Sequence, residues 1–144
     1  MPQTASLPNR IKGFYERVSA ERGAALVELP DLYGEQVHFI NPVVDQRGLA
    51  AFREAWDQAL RKYTVFLFHD IDVVGTDEQF SLTYSMTISF GVGPSFTTDM
   101  ATACRARDGK VVYLRDYFDP LGALVRPVAP LSWCYRKVFG VLVA

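Results

Sequence analysis

The segment KVVYLRDYFDP, Lys110 to Pro120, carries a carboxylate in an apolar setting. Alternate residues of a strand face opposite sides, so Val112, Leu114, Asp116 and Phe118 are expected on one face and Val111, Tyr113, Arg115 and Tyr117 on the other. If the first face is buried, Asp116 has two uses. Apolar walls favour the neutral form of an acid, which lets it carry a proton near neutral pH. Alternatively it is a structural acid that accepts bonds from Tyr84, Asn41 or a backbone N–H, because buried polar groups are normally satisfied. Tyr84 is the second catalytic candidate, since its hydroxyl can donate to a carbonyl as negative charge develops there. His38 is a candidate base, or a bonded histidine beside a strand. His69, next to Asp70 and Asp72, reads as a solvated edge, and Arg115 and Asp119 as an ion pair across the sheet.

The elements that hold these residues follow from hydrophobic period. Ile11, Phe14, Tyr15 and Val18 mark a helix over 9–21 with Asn9 as its cap, and Leu49, Phe52, Trp56, Leu60 and Tyr63 mark a second one. Residues 23–33 read as a short helix or two joined turns. Strands are expected around 35–42, at 64–74, at 79–90, at 96–107 and in the opening segment, with Asp108–Gly109 as a tight hairpin. On the strand at 79–90, Phe80, Leu82, Tyr84, Met86, Ile88 and Phe90 face one way; Ser81, Thr83, Ser85, Thr87 and Ser89 face the other. Helices first and a strand meander second point to an α+β fold, a mostly antiparallel sheet curled over N-terminal helices. The tail contains Pro127 and Pro130; a brief helix from Leu131 is expected to present Trp133, Val138 and Leu142 to the body, the segment packing on the domain or a partner subunit, with a lid over a pocket as the second reading.

Composition narrows the function. A chain of 144 residues fits a single domain over 1–144, with its core at about 9–122 and an extension at 123–144. Fifteen basic against sixteen acidic residues leave a net charge of -1 without a basic block, which argues against nucleic acid as a partner. Cys104 and Cys134 have no metal-type spacing and read as reduced thiols in the cytoplasm; no metal site is expected. Glycine loops that cradle phosphate and nucleophile elbows are missing, so no cofactor is expected. The apolar run of the tail is too short to span a membrane.

Three stretches, HFINP at His38–Pro42, RGLAAFREAW at Arg47–Trp56 and DGKVVYLRDYFDP at Asp108–Pro120, together resemble the SnoaL-like branch of the nuclear transport factor 2-like superfamily, over roughly residues 11–122. The resemblance implies a cone-shaped, strongly curved sheet wrapped around helices, a cystatin-like α+β roll with an internal cavity, and an inward-looking Asp116. It is similar to limonene epoxide hydrolases at Asp116 and Asn41. Those enzymes also need an Arg-x-Asp pair on the long strand, where this chain has Tyr84 and Met86, and a water-binding tyrosine where it has Phe39. That mechanism therefore lacks its parts.

The resulting expectation is a cofactor-free protein that binds an apolar, aromatic or polycyclic molecule. Its pocket comprises Asn41, His38, Phe39, Trp56, Phe80, Met86, Ile88, Leu114 and Phe118, and Asp116 and Tyr84 serve an isomerisation, cyclisation or dehydration. The alternative is a non-catalytic ligand-binding or assembly module. In this superfamily the outer sheet face commonly meets a second subunit, so the Ser/Thr row implies a homodimer.

Overall fold

The computed structural model describes residues 5–143. Helix α1, Leu7–Glu21, buries Ile11, Phe14, Tyr15 and Val18 along one stripe. It begins before Asn9. Pro8 occupies the first turn, where a missing N–H costs nothing, and Asp77 Oδ1 accepts the Leu7 N–H at 2.7 Å from a distant turn. That carboxylate also faces the positive end of the helix. A 3₁₀ helix at Arg22–Glu28 and the single turn α2, Leu29–Leu32, lead into strand β1, Tyr33–Asn41.

Strand β2, Val44–Arg47, folds back on β1 and has no counterpart in the sequence reading. Its side chains are exposed or half-exposed, so no apolar alternation marks it. Helix α3, Leu49–Lys62, then turns Phe52, Trp56 and Leu60 inward. Its C-terminal carbonyls are closed by Arg22, whose Nη2 lies 2.5 Å from the Leu60 oxygen and 2.7 Å from that of Tyr63.

Strands β3, Val65–Gly75, β4, Gln79–Ser89, β5, Phe96–Arg107, and β6, Lys110–Tyr117, complete a six-stranded sheet in the order β2-β1-β6-β5-β4-β3. Every pairing is antiparallel except β1 with β6. The sheet is open and curves over α1 and α3 in the α+β arrangement expected. Asp108 and Gly109 both have positive φ, 53° and 74°, which a two-residue hairpin matching the strand twist requires.

Beside a register shift between Tyr33 and His38 where β1 meets β6, two bulges bend the sheet. In β3 the register slips between His69 and Asp72, and Asp70 takes φ 55°. Opposite Arg105 and Ala106 it slips again, which makes Val112 the extra residue of β6. This second bulge corrects the simple alternation: Val111 is fully buried and Val112 only half so, and the expected faces hold only from Tyr113 onward.

The tail forms α4, Pro120–Val125, and α5, Ala129–Val143. Asp119 caps α4 through the Gly122 N–H at 2.8 Å and also accepts a bond from the Tyr135 hydroxyl. It therefore makes no ion pair with Arg115, which lies over the Tyr117 ring instead. Helix α5 packs chiefly on α4, so Trp133, Val138 and Leu142 are 59%, 55% and 73% exposed rather than seated on the body. Among the described residues no helix is long and apolar enough to cross a membrane.

Candidate functional site

Three strands place three hydroxyl and carboxyl groups in a line. Asp116 of β6 stands directly opposite Thr102 of β5, and Thr102 lies diagonally across from Tyr84 of β4. Thr102 is fully buried, and its hydroxyl donates to Asp116 Oδ1 at 2.5 Å. With that hydrogen committed, the Tyr84 hydroxyl at 2.9 Å must be the donor to Thr102 Oγ1. The polarity is fixed from Tyr84 through Thr102 to the carboxylate.

Asp116 thus has one satisfied oxygen. Its Oδ2 has no hydrogen-bond partner among the described residues and is not sealed off, so it opens to the cavity that Asp116 lines. Burial pushes the carboxyl up to about 6, and the Thr102 bond, which favours the charged form, offsets part of that rise. Burial and the nearby Asp116 charge also raise the Tyr84 phenol, against smaller opposite effects of Thr102 and Tyr15; the Cys104 thiol is raised by the same two causes. Near neutrality both stay uncharged.

The cavity holds about 200 Å³ between the helices and the inner sheet face. Tyr15 of α1, Trp56 of α3, Phe66 and Phe68 of β3, and Met100 of β5 supply much of its wall. Trp56 meets Phe14, Tyr15 and Phe68 edge to face at 5.5, 5.8 and 5.9 Å. Its buried Nε1 has no nitrogen or oxygen partner among the described residues, which leaves the ring faces around it as the available acceptors. A smaller hollow of about 150 Å³ shares Asn41, Asp116 and Phe118 with the cavity and marks its mouth. There Asn41 Oδ1 accepts the Val43 N–H at 2.9 Å, which orients the amide and leaves its NH₂ group for another acceptor.

Of the residues expected at the site, Asp116, Tyr84, Asn41, Trp56, Met86, Leu114 and Phe118 line this cavity. Four do not. His38 belongs to the outer face because Val37 and Phe39 point in; its Nε2 meets Asp45 Oδ1 at 2.6 Å and its ring meets Tyr113 edge-on. Phe39 is core, packed on Phe52 behind the cavity wall. Phe80 and Ile88 lie toward the two ends of the β4 face, Phe80 in solid core and Ile88 half-buried. His69 is exposed between Asp70 at 2.9 Å and Thr87 at 3.0 Å, as a solvated edge should be.

Tyr15, Ala55, Ala59, Tyr63, Phe66 and Phe68 on the wall, then Met100 and Thr102, are the contributors that the sequence reading lacks. The alternation of Thr98, Met100, Thr102 and Cys104, all buried, is the signal that could have found the last two.

The curved sheet around helices, closed on a cavity with an inward aspartate, defines a nuclear transport factor 2-like fold. Residues 11–114 match the model of the SnoaL-like domain, and the chain belongs to that family. No curated protein matches it. Among solved structures it is similar to a SnoaL-like polyketide cyclase from Agrobacterium tumefaciens, with TM-score 0.72, 11% identity, and 87% of this chain and 99% of that one covered. It is also similar to a protein with a ketosteroid isomerase-like fold from Catenulispora acidiphila in complex with trimethylamine, with TM-score 0.69, 12% identity, and 83% and 92% covered. A third, a nuclear transport factor 2-like protein from Burkholderia xenovorans, gives TM-score 0.64 and 22% identity, with 86% and 98% covered. At these identities the likeness speaks for the fold.

Proposed function

We propose that the cavity binds a small apolar molecule and that Asp116 exchanges a proton with it, in an isomerisation, cyclisation or dehydration that needs no cofactor. The observation that carries this reading is the open Oδ2 of an acid poised at about 6 within an aromatic wall. Membership of a family with cyclase-like structural neighbours supports a ligand-binding or cyclase-like role in general terms. The volume narrows the ligand. A cavity of roughly 150 Å³ accepts benzene, so about 200 Å³ suits one substituted ring rather than a polycyclic compound.

In this mechanism Oδ2 removes a proton from the carbon beside a carbonyl; the C–H pair becomes the carbon–carbon double bond and the carbonyl π pair moves to oxygen as the enolate forms. Asp116 is then neutral and no longer requires the Thr102 hydrogen. Thr102 can turn toward Tyr84, which frees the Tyr84 O–H to donate to the developing oxyanion, while the Asn41 NH₂ group serves the same oxygen from the mouth. Return of the proton from Oδ2 to another carbon completes an isomerisation. The protein acts as a dimer through the outer sheet face, and two free thiols fit the reducing cytoplasm.

The test uses single-ring ketones such as acetophenone in D₂O. The expected result is a raised melting temperature together with protein-dependent exchange of the protons beside the carbonyl, lost in Asp116→Asn while binding remains. Binding without exchange favours the non-catalytic module, a reading supported by Asp116 being the only carboxylate on the cavity wall among the described residues.

A further inference from the structure

We infer that the cavity selects a small organic ammonium ion, a protonated amine with apolar substituents, whose N–H meets Asp116 Oδ2 while its carbon groups lie against the aromatic wall. The inference rests on the cavity being a ligand site, and it narrows the occupant of that site.

Three features converge on a cation. First, Asp116 receives a single hydrogen bond, from Thr102, and makes no ion pair among the described residues. A carboxylate held this way lacks both a counter-charge and a donor for its second oxygen, and both deficits are costly in an apolar site. Second, the titratable groups that face it are Tyr15 of α1, Tyr33 of β1, Tyr84 of β4 and Cys104 of β5, all raised by burial and so uncharged near neutrality. Its neighbours Arg115 and Tyr117 pair with each other on the outer face. Among the described residues nothing neutralises the acid.

Third, the wall opposite is made of rings: Tyr15, Phe52, Trp56, Tyr63, Phe66 and Phe68 all line the cavity. Aromatic faces attract cations, more so when water is excluded. A neutral hydrocarbon gains the burial but leaves Oδ2 unpaired. An ammonium with short carbon arms gains both, and about 200 Å³ holds one ring bearing such a group.

The experiment compares N,N-dimethylbenzylamine, mainly protonated at both pH values, with isobutylbenzene, which has the same shape and no charge, by NMR titration at about pH 8 and about pH 5. At the higher pH the amine should bind about tenfold or more tightly than the hydrocarbon. The advantage should shrink at the lower pH, where Asp116, with its pKa of about 6, is mostly protonated, and it should vanish in Asp116→Asn. If the hydrocarbon binds as well as the amine at the higher pH, the ammonium inference falls and the ligand cavity stands. An amine preference indifferent to pH also overturns it, and needs no variant to fold. If neither probe binds, the cavity reading itself fails and takes the inference with it.

Discussion

The Thr102 hydroxyl lies 2.5 Å from Asp116 Oδ1 and 2.9 Å from the Tyr84 hydroxyl, so one fully buried threonine joins the site's acid to its phenol. It answers the question of what holds Asp116. Neither Tyr84 nor Asn41 bonds the carboxylate directly; a neighbour on the adjacent strand does, on one oxygen, and leaves the other free.

Replacing Thr102 with valine keeps the shape and removes the donor. The Asp116 carboxyl should then titrate above its present value of about 6, because the lost bond favours the charged form. Tyr84 loses its acceptor as well, and a buried group left unpaired costs about 1–3 kcal/mol. Urea unfolding of the variant, with carboxyl NMR alongside, reads both effects. A lower titration midpoint for Asp116 would contradict the assigned polarity.

Asp116→Asn should stabilise the protein at neutral pH. The folded pKa stands above its ordinary value, from 3.8 to about 6, so the folded state binds the proton more tightly than the unfolded one. The stability this gives is fully present below about pH 4 and is lost as pH rises through about 6, a difference of about 3 kcal/mol. The variant should therefore exceed the natural protein at about pH 8 by up to that amount, and the gap should close toward about pH 4. Chemical unfolding at the two pH values measures it.

Much of this architecture was legible in the residues, for a reason that also explains the gaps. Strands with one buried face write their register as alternation, and β4, with Phe80, Leu82 and Tyr84 against Ser81 and Thr83, is the clearest case. The same rule places His38 outward, since Val37 and Phe39 point in; the motif resemblance pulled it toward the cavity against that rule. Strand β2 has no buried face and so left no trace. The bulge at Val112 was hidden because one extra residue alters register without altering composition. Thr102 escaped notice because threonine is at home on any strand, and its role appears only when β4 and β6 lie on either side of it.

Asp77 supplies a cap from outside the helix it serves, since its Oδ1 accepts the Leu7 N–H. Asp77→Ala should cost about 1 kcal/mol, in line with the loss of other helix caps. Asp77→Asn should recover most of the bond and less of the charge effect at the helix terminus. Thermal unfolding of the two variants separates these contributions.

The outer sheet face carries a chain of polar contacts, with Thr87 bonded to both His69 and Thr97 and Ser85 to Asp99. A dimer across this face predicts a mass twice the 16.2 kDa of the chain by light scattering at low micromolar concentration. Thr87→Arg should halve it, because a buried cation without a partner opposes association. A monomer in the natural protein would leave this face to solvent.

Titration of the Asp116 carboxyl by ¹³C NMR is the most direct test of the acid at the centre of the proposed site. A desolvated carboxyl open to the cavity predicts a midpoint of about 6, moving down when an amine probe is bound, because a cation favours the charged form. A midpoint at or below the ordinary value of about 3.9 would contradict the account, because the carboxyl would then be held by hydrogen bonds or a cation of the protein itself, with no proton to exchange near neutrality.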